Sequence, residues 1–166
     1  MQLEVGNCGD QVSDKRIVAA FWRDVLFWLA FAAGPIVCFV AAWIYVPDLD
    51  IALPAGEFGR LLILVVAYPV VEEIVFRGAL QGWVLGLSWG RHRFACFSVA
   101  NIITSFVFAG LHGFYHPALM AALVFFPSLV FGFFRERTGV LPASMMLHCS
   151  YNLFYFLVFG LPLVNS

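Results

Sequence analysis

Charge is what this sequence most lacks: only 11% of its 166 residues are Asp, Glu, Lys or Arg, against about 25% in a soluble domain. So thin a polar coat cannot clothe a surface in water. With 63% hydrophobic residues and a mean hydropathy of +0.93, the chain needs lipid as its solvent. The net charge is -1, and no run of Lys and Arg marks one face, which excludes a nucleic-acid footprint. Cysteine is sparse: Cys8, Cys38, Cys96 and Cys149 form no CxxC pair and no metal-knuckle spacing. Three of them fall in apolar runs, where cysteine acts as a small hydrophobe, so no disulfide framework is expected. No internal repeat and no low-complexity segment is present. A secretory leader is also missing: MQLEVGNCGDQVSDKR mixes acids with bases, and the apolar run that follows is of spanning length.

Aromatics are abundant at 17%, led by 19 Phe, as suits a lipid-facing surface with Trp and Tyr near the headgroups. The length allows one domain. It divides into a polar tail, residues 1–24, and a transmembrane region, residues 25–166. A span needs roughly twenty apolar residues, and five runs meet or approach that: Val25–Val46, Leu61–Gln81, Phe94–Leu111, Ala118–Phe134 and Val140–Leu161. The expected fold is therefore all-α, a polytopic bundle of about five spans. The stretch from Gly82 to Gly90 reads as a continuation of the second span along the interface. Lys15, Arg16 and Arg23 precede the first span, Arg91 and Arg93 follow the second, and Arg135 and Arg137 follow the fourth. Only Arg60 lies on the other side, beside Asp48, Asp50 and Glu57, which predicts a cytoplasmic N-terminus.

Ionisable groups at the centre of a span cost roughly 2.5–3.5 kcal/mol each, so they mark functional sites by default. Three spans carry them. Glu72-Glu73-Ile-Val-Phe-Arg77 lies in the second, and its spacing lets Glu73 pair with Arg77 one turn on. Glu72, about 100° round the helix, is left for another partner. Phe108-Ala-Gly-Leu-His112 closes the third span, and His148-Cys-Ser-Tyr-Asn152 opens the fifth. An ion pair alone accounts for one Glu and the Arg, and a lone histidine at a helix end is commonly an interfacial residue. Three spans of polar groups are satisfied together only by converging on a polar intramembrane cavity. By residue count His112 is the outlier, about 27 Å from the cytoplasmic start of its span against about 17 Å for Glu72 in its own. The depths agree if span three starts later, tilts, or ends its regular helix early. Pro69 is expected to kink span two and admit water.

EExxxR, FxxxH and HxxxN, in this order on successive hydrophobic segments, resemble the CPBP (Abi) family of intramembrane proteases, which includes the type II CAAX prenyl endopeptidases. The run Pro69-Val-Val-Glu-Glu-Ile-Val-Phe-Arg-Gly is similar to that family's first motif, and the likeness covers residues 60 to 155. Many members have seven or eight spans, so this chain looks like a pared-down core. The resemblance implies an endopeptidase in which Glu72 activates a water, His112 holds it, and His148 with Asn152 donates to the oxyanion. Glu73 and Arg77 would keep Glu72 aimed. It implies no cofactor, and as partners the bilayer and a membrane-anchored protein substrate. That substrate is a prenylated CAAX tail or the C-terminal sorting tail of an exported protein, in a bacterial or archaeal cell membrane.

The chemistry is sound on its own terms: a carboxylate among apolar groups is a better base, and two N–H donors one turn apart can aim at one oxyanion. A zinc site from Glu72, His112 and His148, with His116 as an i, i+4 partner to His112, is the alternative; HExxH is absent. A Cys149–His148 dyad is excluded because helical neighbours face apart. Two other functions compete. A silent peptide-binding or immunity protein has no need of the four polar groups together, and a proton-relaying transporter predicts repeat symmetry.

Overall fold

A computed structural model describes residues 21–45 and 56–161. Outside them lie residues 1–20, with Cys8, Lys15 and Arg16, residues 46–55, with Asp48 and Asp50, and residues 162–166. The described residues form five helical stretches: α1 (Val25–Tyr45), α2 (58–86), α3 (Val99–His112), α4 (Ala118–Thr138) and α5 (Leu141–Phe159). Residues 25–44 of α1 and the whole of α4 are long and apolar enough to cross a membrane. α3 has 14 residues, and α5 carries His148, Ser150 and Asn152 among its apolar residues.

α2 starts before the expected span and continues through Gly86, after which Trp89–Arg91 turns the chain. Gly90 seats that turn, for a Cβ there would lie 1.9 Å from the Val84 carbonyl oxygen. The helix changes pitch along its length. Phe58–Leu62, Tyr68–Glu73 and Gln81–Gly86 are α-helical, whereas Ile63–Ala67 and Ile74–Leu80 are π-helical. Pro69 explains the first widening. In an α-helix its ring collides with the carbonyl four residues back and it gives no N–H. Here Tyr68 N–H reaches five residues back, to Ile63 O, and the wider turn makes room for the ring.

The third span departs from expectation at its start. Arg93–Phe94 and Phe97–Ser98 pair antiparallel as β1 and β2, with Arg93 opposite Ser98, and Ala95 turns at φ +53°. Cys96 is thus exposed in a hairpin rather than set in an apolar run. Ser98 then caps α3, its Oγ accepting from Asn101 N–H at 2.9 Å, as N-cap serines do. Starting at Val99 puts His112 about 20 Å along its helix. The helix thus starts five residues later than the expected span.

α3 and α4 form an antiparallel hairpin, and α5 packs on α1, α2 and α4. Phe27, Phe131, Phe134, Ala143 and Leu147 make the buried core between α1, α4 and α5. Tyr151 of α5 donates its hydroxyl to Ala30 O at 2.7 Å and lays its ring on Gly34, where a Cβ would come within 2.3 Å of the ring. Gly34→Val should therefore lever α1 off α5; we expect a melting temperature lower by roughly 5 °C or more in detergent, the scale of an overpacked core. An unchanged melting temperature would mean that α1 docks elsewhere.

The helix ends are tied by charge. Arg137 donates to Asp24 at 2.5 Å and Arg93 to Glu136 at 2.9 Å, joining the start of α1, the β-hairpin and the end of α4. Arg60 and Glu57 sit at the far end of α2. The Arg137 hydrogen bond holds the Asp24 carboxyl below its ordinary range, so this tie is intact at neutral pH and is lost only as pH falls through that depressed value.

Candidate active site

Glu72 and Glu73 close the α-helical turn that lies between the two π-helical stretches of α2. Glu73 is fully buried, and its Oε1 lies 3.3 Å from Arg77 Nη1, as the four-residue spacing requires. Arg77 is equally buried. Its Nη2 donates to Ser128 O at 3.0 Å and Ser128 Oγ at 2.8 Å, and its guanidinium lies over the rings of Phe108 and Phe131. Planar, weakly hydrated guanidinium suits such an aromatic slot.

α5 inserts His148 between the two carboxylates. Its Nδ1 is 3.0 Å from Glu73 Oε1 and its Nε2 is 3.5 Å from Glu72 Oε2. The ring stacks on Phe131 with centroids 4.8 Å apart. The two glutamates therefore converge on one imidazole, although they leave the helix in different directions. What separates them is burial: the Glu72 side chain is 32% exposed and Glu73 is 0% exposed. The ion-paired carboxylate is sealed, and its neighbour is one-third exposed.

His112 reaches the site through a ring. Its Nδ1 lies 2.9 Å from Phe108 O; a carbonyl only accepts, so Nδ1 holds the proton and Nε2 presents a lone pair when the ring is neutral. The four-residue spacing of the FxxxH motif is that of this bond. Phe108 packs against His112 at 4.5 Å and against His148 at 5.8 Å between centroids. Among the described residues, His112 makes no hydrogen bond to Glu72 or His148. His116 stacks on His112 with centroids 5.8 Å apart, beyond the end of α3. Among the described residues no three His, Cys, Asp or Glu side chains are placed to hold a metal ion, so the donor set of the zinc alternative is not assembled.

Asn152 meets α2 below the glutamates. Its Nδ2 donates to Leu64 O at 3.1 Å, which engages one N–H of the amide and leaves the second.

Further polar residues join the cluster without standing out in the sequence. Gln81 donates to Gly132 O at 3.1 Å and Glu136 Oε1 at 2.8 Å, and Glu136 also accepts from Ser98 Oγ. Asn101 donates to Leu129 O at 2.9 Å. Arg77 and Gln81, four residues apart on α2, reach Ser128, Gly132 and Glu136, spaced by four on α4. The two helices run parallel, bridged by the side chains of Arg77 and Gln81. Gly132 is required there, since a Cβ would fall 2.0 Å from Asn101 Oδ1. The signal was the shared period of four.

Carboxylates and an imidazole held by apolar helices, with one acid left open, are the equipment of an intramembrane hydrolase. A family model described as type II CAAX prenyl endopeptidase Rce1-like matches residues 54–154, and the chain belongs to that family. It is a membrane protein and a CAAX-type protease, acting on a membrane-associated protein. Comparison with curated proteins and with solved structures returns no match.

Proposed function

We propose that the chain cleaves a peptide bond near the C-terminus of its substrate inside the bilayer, with Glu72 as general base. The observation that carries this reading is the division of labour between adjacent carboxylates. Glu73 is neutralised by Arg77 and fully buried, while Glu72 is one-third exposed and lies beside His148. A water hydrogen-bonded to Glu72 and to the lone pair of His112 Nε2 gives its proton to Glu72 as its oxygen attacks the scissile carbonyl carbon. The oxyanion is met by Nε2–H of His148 and the second N–H of Asn152. Because Nδ1–H of His148 faces Glu73, an N–H on Nε2 makes this ring an imidazolium. Two carboxylates, Arg77 and the imidazolium then sum to zero charge. Glu72 returns the proton to the departing amine as the C–N bond breaks, leaving an amine and a carboxylic acid. No metal takes part.

The five helices cross the membrane as five spans around a polar cavity, with the arginine-rich end in the cytoplasm of a bacterium or archaeon. The charge ties at that end favour this orientation, since Arg23, Arg91, Arg93, Arg135 and Arg137 gather there. The substrate tail is either a prenylated CAAX sequence or an unprenylated sorting tail. The purified chain in lipid nanodiscs, given a farnesylated CAAX peptide and a transmembrane sorting-tail peptide in parallel, should cut one of them by mass spectrometry. Activity should survive strong chelators, and elemental analysis should find no stoichiometric transition metal. Cleavage of neither peptide would count against the endopeptidase reading. Loss of activity on chelation, restored by one equivalent of zinc, would overturn the metal-free mechanism.

A further inference from the structure

The bond from Asn152 to Leu64 has a cause in the main chain. In an α-helical register the Leu64 carbonyl would accept from Tyr68 N–H; in a π-helical register it would accept from the N–H of residue 69. Tyr68 N–H is engaged by Ile63 O, and residue 69 is proline, with no N–H to give. Leu64 O is thus without a helical donor in either register, in a segment where no bulk water replaces it. Asn152 Nδ2, 3.1 Å away on α5, fills the vacancy. The neighbouring Tyr151 also donates to a main-chain carbonyl, Ala30 O of α1.

We infer that Pro69 is a positioning residue for the reaction. By withholding a main-chain donor from Leu64 O, it keeps that carbonyl for Asn152 and so fixes the plane of the Asn152 amide. The amide is planar, and once one N–H is bound to Leu64 O the direction of the other is set. The same proline holds the π-helical turn Ile63–Ala67 just ahead of Glu72, so base and amide are registered by one device. π-helical turns of this kind recur at functional sites because they let a helix aim one residue out of step. The inference rests on the role given to Asn152 above.

A stability cycle on the full-length chain tests it without needing a substrate. Asn152→Ala orphans the Leu64 carbonyl and should lower the melting temperature by roughly 5 °C. Adding Pro69→Ala to that variant restores a main-chain donor to Leu64 O in either register, and should recover most of the loss. Pro69→Ala alone should melt no lower than the wild type, yet cut the farnesylated CAAX peptide with kcat reduced at least tenfold and KM unchanged. A merely structural proline would instead leave kcat alone, or lower kcat and stability together. The inference is overturned if the double variant is no more stable than Asn152→Ala, or if Pro69→Ala cleaves at the wild-type rate. Should the wild type leave that peptide intact, the substrate assignment fails, and the stability cycle still decides whether Pro69 keeps Leu64 O for Asn152.

Discussion

Glu72→Gln is expected to lower kcat by about 10²–10⁴-fold, the worth of a positioned general base, with no loss of folded protein. The amide keeps the shape and the hydrogen bonding of the side chain but cannot take a proton from water. Little stability is at stake, because Glu72 is one-third exposed and its contact with His148 Nε2 is at 3.5 Å. His112→Ala should also abolish cleavage, for a different reason: it removes the Nε2 lone pair that holds the water on its second side, while its one hydrogen bond is to Phe108 O in its own helix. Single-turnover cleavage by purified variants, with melting temperatures measured on the same preparations, separates the two effects. A Glu72→Gln enzyme that keeps a tenth of the wild-type rate would move the base elsewhere, with His112 the nearest alternative.

Much of this arrangement is legible in the sequence, because the physics behind it is local. The pairing of Glu73 with Arg77 follows from helical spacing, and so does the bond of His112 to Phe108 O four residues back. The helices follow from apolar runs broken by Pro, Gly and charge. The parts that are not legible depend on contacts distant in the chain or on turns that hydropathy does not register. Phe94-Ala-Cys-Phe97 reads as the start of a span, since its residues are apolar; Ala95 at positive φ and the cap from Ser98 make it a hairpin. Pro69 announces a disturbance in α2, but a kink and a π-helical turn are equally open to it until a donor to Leu64 O arrives from α5, 88 residues beyond Leu64. Gln81 looks like the polar end of a span, and only the parallel register of α2 and α4 shows that it is buried against Glu136. That both glutamates meet His148 is a tertiary fact as well. Helical geometry directs them apart, and the position of α5 brings one imidazole within reach of each.

Glu73→Ala should behave in the opposite way to Glu72→Gln, losing stability first and activity as a consequence. Arg77 is 1% exposed, and its charge is balanced at contact distance by Glu73 alone, 3.3 Å away. Removing that carboxylate leaves a buried cation among Phe108, Phe131 and the Ser128 oxygens, which typically costs about 3–5 kcal/mol. For a chain of this size the loss corresponds to a fall in melting temperature of roughly 6–20 °C. The pair is also short of hydrogen bonds, since Glu73 Oε2, Arg77 Nε and Arg77 Nη1 make none, the last meeting Glu73 only as an ion pair. It is therefore a costly way to join two helices, and a neutral replacement of similar volume should serve stability equally well. Glu73→Gln combined with Arg77→Met should recover most of the melting temperature that Glu73→Ala loses. Activity should not return with it, because His148 Nδ1 then faces an amide instead of a carboxylate. If Glu73→Ala instead melts like the wild type while Glu72→Ala collapses, the two carboxylates have exchanged roles. In that case the buried acid is the base, and the open one is the strut.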